Sequence, residues 1–172
     1  ITGAAGGVGV FAVQIAASMG AHVTGVCSAA KSAAVLRLGA DEVIDYATQD
    51  FSRSGQQWDL IFDAAGHRSL TDLRRSLTPT GTAVIVGSET EAPFLGGFDR
   101  TIRAGMLSPL VRQRLVGLTS LERTADLEEL GRLMASGAVT PAIDRTVSLG
   151  EVADGVRRLQ DGRVIGKVVV VV

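Results

Sequence analysis

Ile1-Thr2-Gly3-Ala4-Ala5-Gly6-Gly7-Val8-Gly9 is the stretch whose reading decides the fold. Ile1-Thr2 has the character of a strand end. The glycine run then leads into residues 8–19, a segment of Ala, Val, Ile and Phe with no charged residue, which closes at Gly20. A helix that is apolar all round is buried against a sheet. Strand, glycine turn and buried helix in that order form a phosphate cradle. Glycines let the backbone approach a diphosphate, and the helix aims its free N–H groups and positive dipole end at it. Ala4, Gly6 and Gly9 fit an A-x-G-x-x-G form of the dinucleotide-binding turn. Glycine turns also serve plain packing, and the strand-turn-helix context is what the motif requires.

Working outward, strand-like and helix-like segments alternate. Residues 22–27 and 42–44 read as strands, with a short amphipathic helix over residues 30–38 between them, closed by Gly39. Residues 59–63 form a buried strand ending at Ala64-Ala65-Gly66. Residues 70–77 are helical and stop at Thr78-Pro79-Thr80-Gly81, and residues 82–86 make the next strand before Gly87-Ser88. This β-α-β alternation implies parallel strands joined by right-handed crossovers, hence an α/β fold with a doubly wound sheet. Residues 89–109 form a Gly- and Pro-containing stretch with short helical possibilities. Residues 113–118 read as a further strand, 121–134 and 150–159 as helices. Residues 167–172 end in five valines, a strand that needs covered faces or sheet partners.

Composition agrees. The 172 residues carry 17 Lys+Arg against 18 Asp+Glu, a net charge of −1. That balance excludes a general nucleic-acid binder, which needs a basic face. Apolar residues make up 46% and mean hydropathy is +0.29, which excludes disorder as a description of the whole chain. Twenty-one glycines with only 4% aromatics suit tight strand-to-helix turns better than an aromatic-rich sandwich. A single cysteine, Cys27, allows no internal disulfide and points to a reducing compartment, the cytoplasm. No secretory signal or membrane span is visible. The chain opens at Ile1 without a Met, and we read it as part of a longer protein.

The end of the second strand sets the cofactor. NAD-binding turns carry an acid about 20 residues after the glycines, on the ribose 2′-hydroxyl. Here Val26-Cys27-Ser28-Ala29-Ala30-Lys31 holds no acid; the first are Asp41 and Glu42. It offers the Ser28 hydroxyl and the Lys31 ammonium, which suit a 2′-phosphate. NADPH is therefore expected over NADH. In a purely structural reading Ser28 caps the next helix and Lys31 is a solvated charge; a capping Ser28 still leaves room for a phosphate.

The glycine turn with Gln14, the run Gly39-Ala40-Asp41-Glu42-Val43-Ile44-Asp45-Tyr46, Asp63-Ala64-Ala65-Gly66 and the ending Gly166-Lys167-Val168-Val169 together resemble the medium-chain dehydrogenase/reductase superfamily, on its zinc-independent quinone oxidoreductase-like branch. The resemblance covers nearly the whole chain. It implies a Rossmann NADP-binding domain at residues 1–138, its first strand truncated. Residues 139–172 would then be a segment returning to a GroES-like catalytic domain outside this sequence. It implies that Ala4, Gly6, Gly7, Val8 and Gly9 take the pyrophosphate, and that Ser28, Lys31 and Tyr46 hold the 2′-phosphate. A strand-end tyrosine can offer its hydroxyl to phosphate with its ring beside adenine; a half-buried loop tyrosine is the bland alternative. Ala65 and Gly66, with Gly87 and Ser88, sit after strands at the carboxyl edge, where ligands bind in open α/β sheets. Backbone contacts to the nicotinamide half are expected there. Homodimers through edge strands are implied, with the edge near residues 113–118.

The remaining candidates carry less. His67 reads as a surface residue, His22 as structural and Cys27 as a small buried hydrophobe. Two histidines and one cysteine cannot close a zinc site. Asp63 suits a ribose contact or a turn cap equally. No side chain stands out as a proton donor, so no catalytic residue is assigned. The function implied is NADPH-dependent hydride transfer to a quinone, enone or carbonyl, with no nucleic-acid or membrane partner. An enoyl-reductase module of a polyketide synthase and a non-catalytic NADPH-binding protein are the alternatives. Taken alone, the chain is expected to be inactive, because the substrate wall lies outside it.

Overall fold

The computed structural model describes residues 1–86, 112–118 and 123–172. Its first helix, α1 (Gly9–Ser18), follows the glycine turn. Strand β1 (Thr24–Cys27) leads through α2 (Ala29–Arg37) to β2 (Glu42–Asp45). A single 3₁₀ turn, Phe51–Arg53, precedes β3 (Trp58–Asp63), and α3 (Leu70–Arg75) leads into β4 (Leu77–Ile85). After β5 (Arg114–Gly117) come α4 (Thr124–Ala135), β6 (Ile143–Ser148), α5 (Val152–Gln160) and β7 (Lys167–Val171).

Every strand pair is parallel: β1 with β2, β3 with β4, β4 with β5, and β6 with β7. Thr2 joins the first two groups, bridging in parallel to both Val26 and Asp63. Its N–H donates to the Phe62 carbonyl (3.0 Å), while Val26 N–H donates to the Ile1 carbonyl (2.8 Å). Ile1-Thr2 is therefore a strand stub at the centre of the sheet. Spatial order runs β2, β1, stub, β3, β4, β5. With the stub counted first this is the 3-2-1-4-5-6 order of doubly wound dinucleotide-binding folds. The expected α/β fold stands.

The sheet has a core on each side. Leu73, Leu77, Ile85 and Leu115 belong to one, Val13, Val23, Val35 and Ala40 to the other. Neighbours Val26 and Cys27 fall in different cores, because alternate strand residues face opposite ways. Helix boundaries match the sequence reading closely where glycine ends them: Gly20, Gly39 and Gly137 all take positive φ. Helix α1 differs in one respect. It is apolar all round, yet only Gly9, Val10, Val13 and Gln14 are buried; Phe11 and Ile15 line a groove instead.

Two further differences have local causes. Thr78-Pro79-Thr80-Gly81 is not a loop between helix and strand but lies within β4. Trp58 pairs with Leu77 and Leu60 with Thr82, so β4 carries extra residues that bulge out between those two pairings. Pro79 sits on the exposed part of the bulge, where its missing N–H breaks no ladder. The second is β6, which the sequence reading passed over because Asp144 and Arg145 interrupt its apolar pattern. It is the partner of the valine strand, pairing Val147 with Val170 and Ser148 with Val171. The valines remain open on one side, with Val171 56% exposed.

Leu73 is fully buried between α3 and the sheet. Leu73→Ala should lower unfolding free energy by about 2–5 kcal/mol, read from the urea midpoint; a loss under about 1 kcal/mol would contradict this packing.

Candidate cofactor site

The glycine turn is built by exclusion of side chains. A Cβ at Gly9 would overlap the Gly3 carbonyl oxygen and lie 2.8 Å from Ala4 Cα. At Gly6 it would lie 3.2 Å from the same oxygen. Gly3 takes φ +64° and backs onto the amide of Ala65, 3.3 Å from where its Cβ would stand. The turn closes through Gly6 N–H donating to Gly3 O (2.9 Å) and Val10 N–H to Gly6 O (3.1 Å). No acceptor among the described residues takes the amides of Gly7, Val8 or Gly9. Three N–H groups at the positive end of a ten-residue helix are the donor set a diphosphate requires. Gly6 and Val8 are exposed and Gly7 half-buried, so that end is open.

The loop after β3 is pinned to this turn. The Thr2 hydroxyl donates to Asp63 Oδ1 (2.6 Å), and Ala65 N–H donates to Thr2 Oγ1 (3.2 Å). Asp63 is fully buried. Here its carboxylate ties the strand stub to the end of β3. Ala65 and Gly66 (φ +73°) thus lie beside Gly3 at the carboxyl edge. His67 is exposed on the same loop. Gly87, Ser88 and the stretch at 89–109 lie outside the described residues.

Ser28, Lys31 and Tyr46 gather at the carboxyl ends of β1 and β2. Ser28 holds the N-cap position of α2, but its hydroxyl makes no cap bond; its carbonyl accepts Lys31 N–H instead (2.9 Å). Tyr46 N–H donates to the Cys27 carbonyl (3.2 Å), which sets this tyrosine beside Ser28, its side chain exposed. Lys31 is not simply solvated: its ammonium donates to the Val164 carbonyl (2.7 Å), leaving two of its three protons. Burial pushes the Cys27 thiol up from its ordinary value, which suits a packing residue.

Two relevant residues escaped the sequence reading. Asp45 pairs with Cys27 across β1 and β2, so a carboxylate does stand one strand from Ser28. It is engaged in its own turn, accepting Ala47 N–H (3.1 Å) and the Thr48 hydroxyl (3.4 Å). The second is Lys167. Its Nζ lies 2.9 Å from where a Gly7 Cβ would stand and 5.8 Å from the centre of the Phe11 ring. Gly7 and Lys167 stand 160 positions apart along the chain, so no local pattern could have linked them.

Arg68 lies on the loop between Ala65 and Ser69. It donates to Asp50 Oδ2 (2.9 Å) and lies over the Phe51 ring. The Ser52 hydroxyl, and then its amide and Arg68, hold the Asp50 carboxyl below its ordinary range. Arg68 therefore fixes the loop from below.

A groove of about 710 Å³ lies between Ile1, α1 and the amino ends of β1 and β3. Phe11, Ile15, Leu60 and Phe62 line it. It also holds Thr24, whose Oγ1 is buried without a partner. It reaches Val8 of the glycine turn at one end but otherwise lies along the amino edge, whereas ligands of open α/β sheets bind at the carboxyl edge.

Metal ligation has no basis in the described residues. Cys27 is buried in β1; His22 lies at the amino edge beside Asp41 (3.3 Å), and His67 at the carboxyl edge. No group of three or more His, Cys, Asp or Glu among the described residues could hold an ion. Nor is any helix among them long and apolar enough to cross a membrane.

Comparison with known proteins gives a consistent picture. The family model described as zinc-binding dehydrogenase matches residues 38–170. The mitochondrial NAD(P)H oxidoreductase RTN4IP1 of Mus musculus is 35% identical over 186 residues, covering 99% of this chain and 46% of that protein. An acryloyl-coenzyme A reductase of Sulfurisphaera tokodaii is 30% identical, covering 99% of this chain and 49% of its own length. The quinone oxidoreductase from Coxiella burnetii superposes with a TM-score of 0.80 at 27% identity, over 99% of this chain and 51% of that one. The chain spans about half the length of the curated relatives it matches.

The glycine turn allows a paired test. Gly9→Ala must push α1 off the stub and should destabilise the fold by about 1–3 kcal/mol. Gly131→Ala, in α4 with open space around it, should be neutral or stabilising by up to about 1 kcal/mol. Thermal unfolding of both variants checks this, and equal shifts would contradict it.

Proposed function

This chain belongs to the zinc-binding dehydrogenase family of the medium-chain dehydrogenase/reductase superfamily, and from that premise we propose that it is the nucleotide-binding part of an NADPH-dependent oxidoreductase. The observation that carries the reading is the glycine turn itself: three unpaired amides at the head of α1, with an ammonium, Lys167, beside Gly7. The amides of Gly7, Val8 and Gly9 would take the pyrophosphate, and Lys167 would add a point charge to it. Ala65 and Gly66, pinned through Thr2 and Asp63, would present backbone to the nicotinamide half, as would Gly87 and Ser88.

The phosphorylated cofactor is favoured by what stands at the end of β1. The Ser28 hydroxyl has no cap bond, Lys31 keeps two donors, and Tyr46 is exposed next to them. The nearby carboxylate, Asp45, is engaged in its own turn. When bound, the nicotinamide supplies the hydride. What this chain's residues do is hold, orient and electrostatically balance the dinucleotide. The acceptor would be a quinone, enone or carbonyl; among the relatives, one is named for acryloyl-coenzyme A reduction and one for quinone oxidoreduction. No step is routed through zinc, because the His and Cys present do not fit it.

The division at about residue 138 belongs to the same proposal. So does homodimerisation along β5, which ends the described sheet. The cytoplasmic assignment rests on the single cysteine alone; one relative carries a mitochondrial name.

Titration of the full-length protein tests the cofactor assignment. Lys31→Glu should weaken NADPH binding at least about tenfold more than NADH binding, since one charge-assisted hydrogen bond is replaced by repulsion. Lys167→Gln should weaken both by about tenfold. Equal loss of both dinucleotides in Lys31→Glu would refute the 2′-phosphate role.

A further inference from the structure

Residues 164–167 touch both halves of the proposed site. Lys31 Nζ, at the head of α2, donates to the Val164 carbonyl (2.7 Å). Gly166 N–H donates to the Ala5 carbonyl inside the glycine turn (2.9 Å). Lys167 Nζ stands beside Gly7, as does the Gly166 carbonyl, 3.5 Å from the Cβ position there. Val164 is buried. On the far side the segment is tied by Ile165 N–H to Asp144 Oδ1 (3.3 Å) and by Lys167 N–H to the Ala142 carbonyl (2.9 Å). Gly166 takes φ +70°, and a Cβ there would overlap the Ala142 carbonyl oxygen. The segment therefore has one geometry, and on the side of α2 its anchor is a side chain.

We infer that Lys31 is a positioning residue for the diphosphate end of the site: through the Val164 carbonyl it holds in place the segment that carries Lys167 to the glycine turn. The inference rests on the reading above, in which the turn and Lys167 take the diphosphate. It adds that the two ends of the dinucleotide are linked through the protein. A lysine acting only on a 2′-phosphate is invisible to NADH, which has none. A lysine that also places Lys167 is felt by NADH, through the diphosphate that both cofactors share. The bond is charge-assisted and partly buried, so its loss leaves the Val164 carbonyl without its donor.

The test is NADH affinity in the full-length protein carrying Lys31→Met, alone and together with Lys167→Gln. Lys31→Met should raise the NADH Kd about three- to tenfold, the effect of losing part of one charge-assisted bond. Lys31→Arg should restore it to within about twofold, because guanidinium can still reach the carbonyl. In the Lys167→Gln background, Lys31→Met should change NADH affinity less than about twofold, since the group it positions is gone. A merely structural lysine would lower affinity equally in both backgrounds. An unchanged NADH Kd in Lys31→Met, or an equal loss in both backgrounds, overturns the inference while leaving the diphosphate reading intact. If Lys167→Gln alone leaves both cofactors bound as tightly as before, the role of Lys167 at the diphosphate falls, and the inference with it, while the amides of the glycine turn are tested separately. Amide hydrogen exchange without cofactor is the independent measurement: Ile165–Lys167 should exchange faster in Lys31→Met than in the parent, and unchanged protection there would overturn the anchoring.

Discussion

The candidate site depends on the close packing of Gly9 against the carbonyl of Gly3. A side chain at Gly9 has no space, so α1 packs directly on the turn that follows the central strand stub. Much follows from that contact. It sets the axis of α1, and with it the direction in which the amides of Gly7, Val8 and Gly9 point. It leaves Gly3 touching Ala65, so that the loop after β3 is drawn to the same place. Thr2 then completes the arrangement with one hydroxyl, donating to buried Asp63 and accepting from Ala65. The dipole of a helix is useful to an anion only within its first turn, so a turn that fixes where that first turn begins also fixes where charge can be held.

The second feature of the architecture is how the chain's last third is tied back to its start. Gln14, buried on α1, accepts Thr140 N–H through Oε1 (2.8 Å) and donates to the Thr140 carbonyl through Nε2 (3.0 Å), as a strand partner would. Lys31 and Ala5 hold residues 164–166. Segments flanking the β6–β7 pair therefore meet the Rossmann-type sheet through polar contacts made by side chains and turns of its two first helices. A site built at such a junction draws groups from distant parts of the chain, and Lys167 beside Gly7 is the example.

These contrasts explain what could be read from the sequence. The glycine turn, the β1–α2–β2 unit and the helix ends at Gly20, Gly39 and Gly137 were legible because backbone conformation and local period decide them. Ser28 and Lys31 could be named as candidates because strand ends in this fold lie at the ligand edge. The bulge at residues 78–81 was not, because its strand character depends on Trp58 pairing with Leu77. Strand β6 was hidden by Asp144 and Arg145 and is defined by its partner, β7. The bond from Lys31 to Val164 and the position of Lys167 are tertiary facts, set by residues brought together from opposite ends of the chain; Asp45 stands near Ser28 only through the pairing of β1 with β2, although its own bonds to Ala47 and Thr48 are local.

The most direct measurement is a backbone-amide NMR titration of the full-length protein with NADPH. The resonances of Gly7, Val8 and Gly9 should shift most, together with those of Ser28 and Lys31. If those five stay in place while the amides of Thr24 and Leu60, beside the amino-edge groove, move instead, the glycine turn is not the dinucleotide's seat.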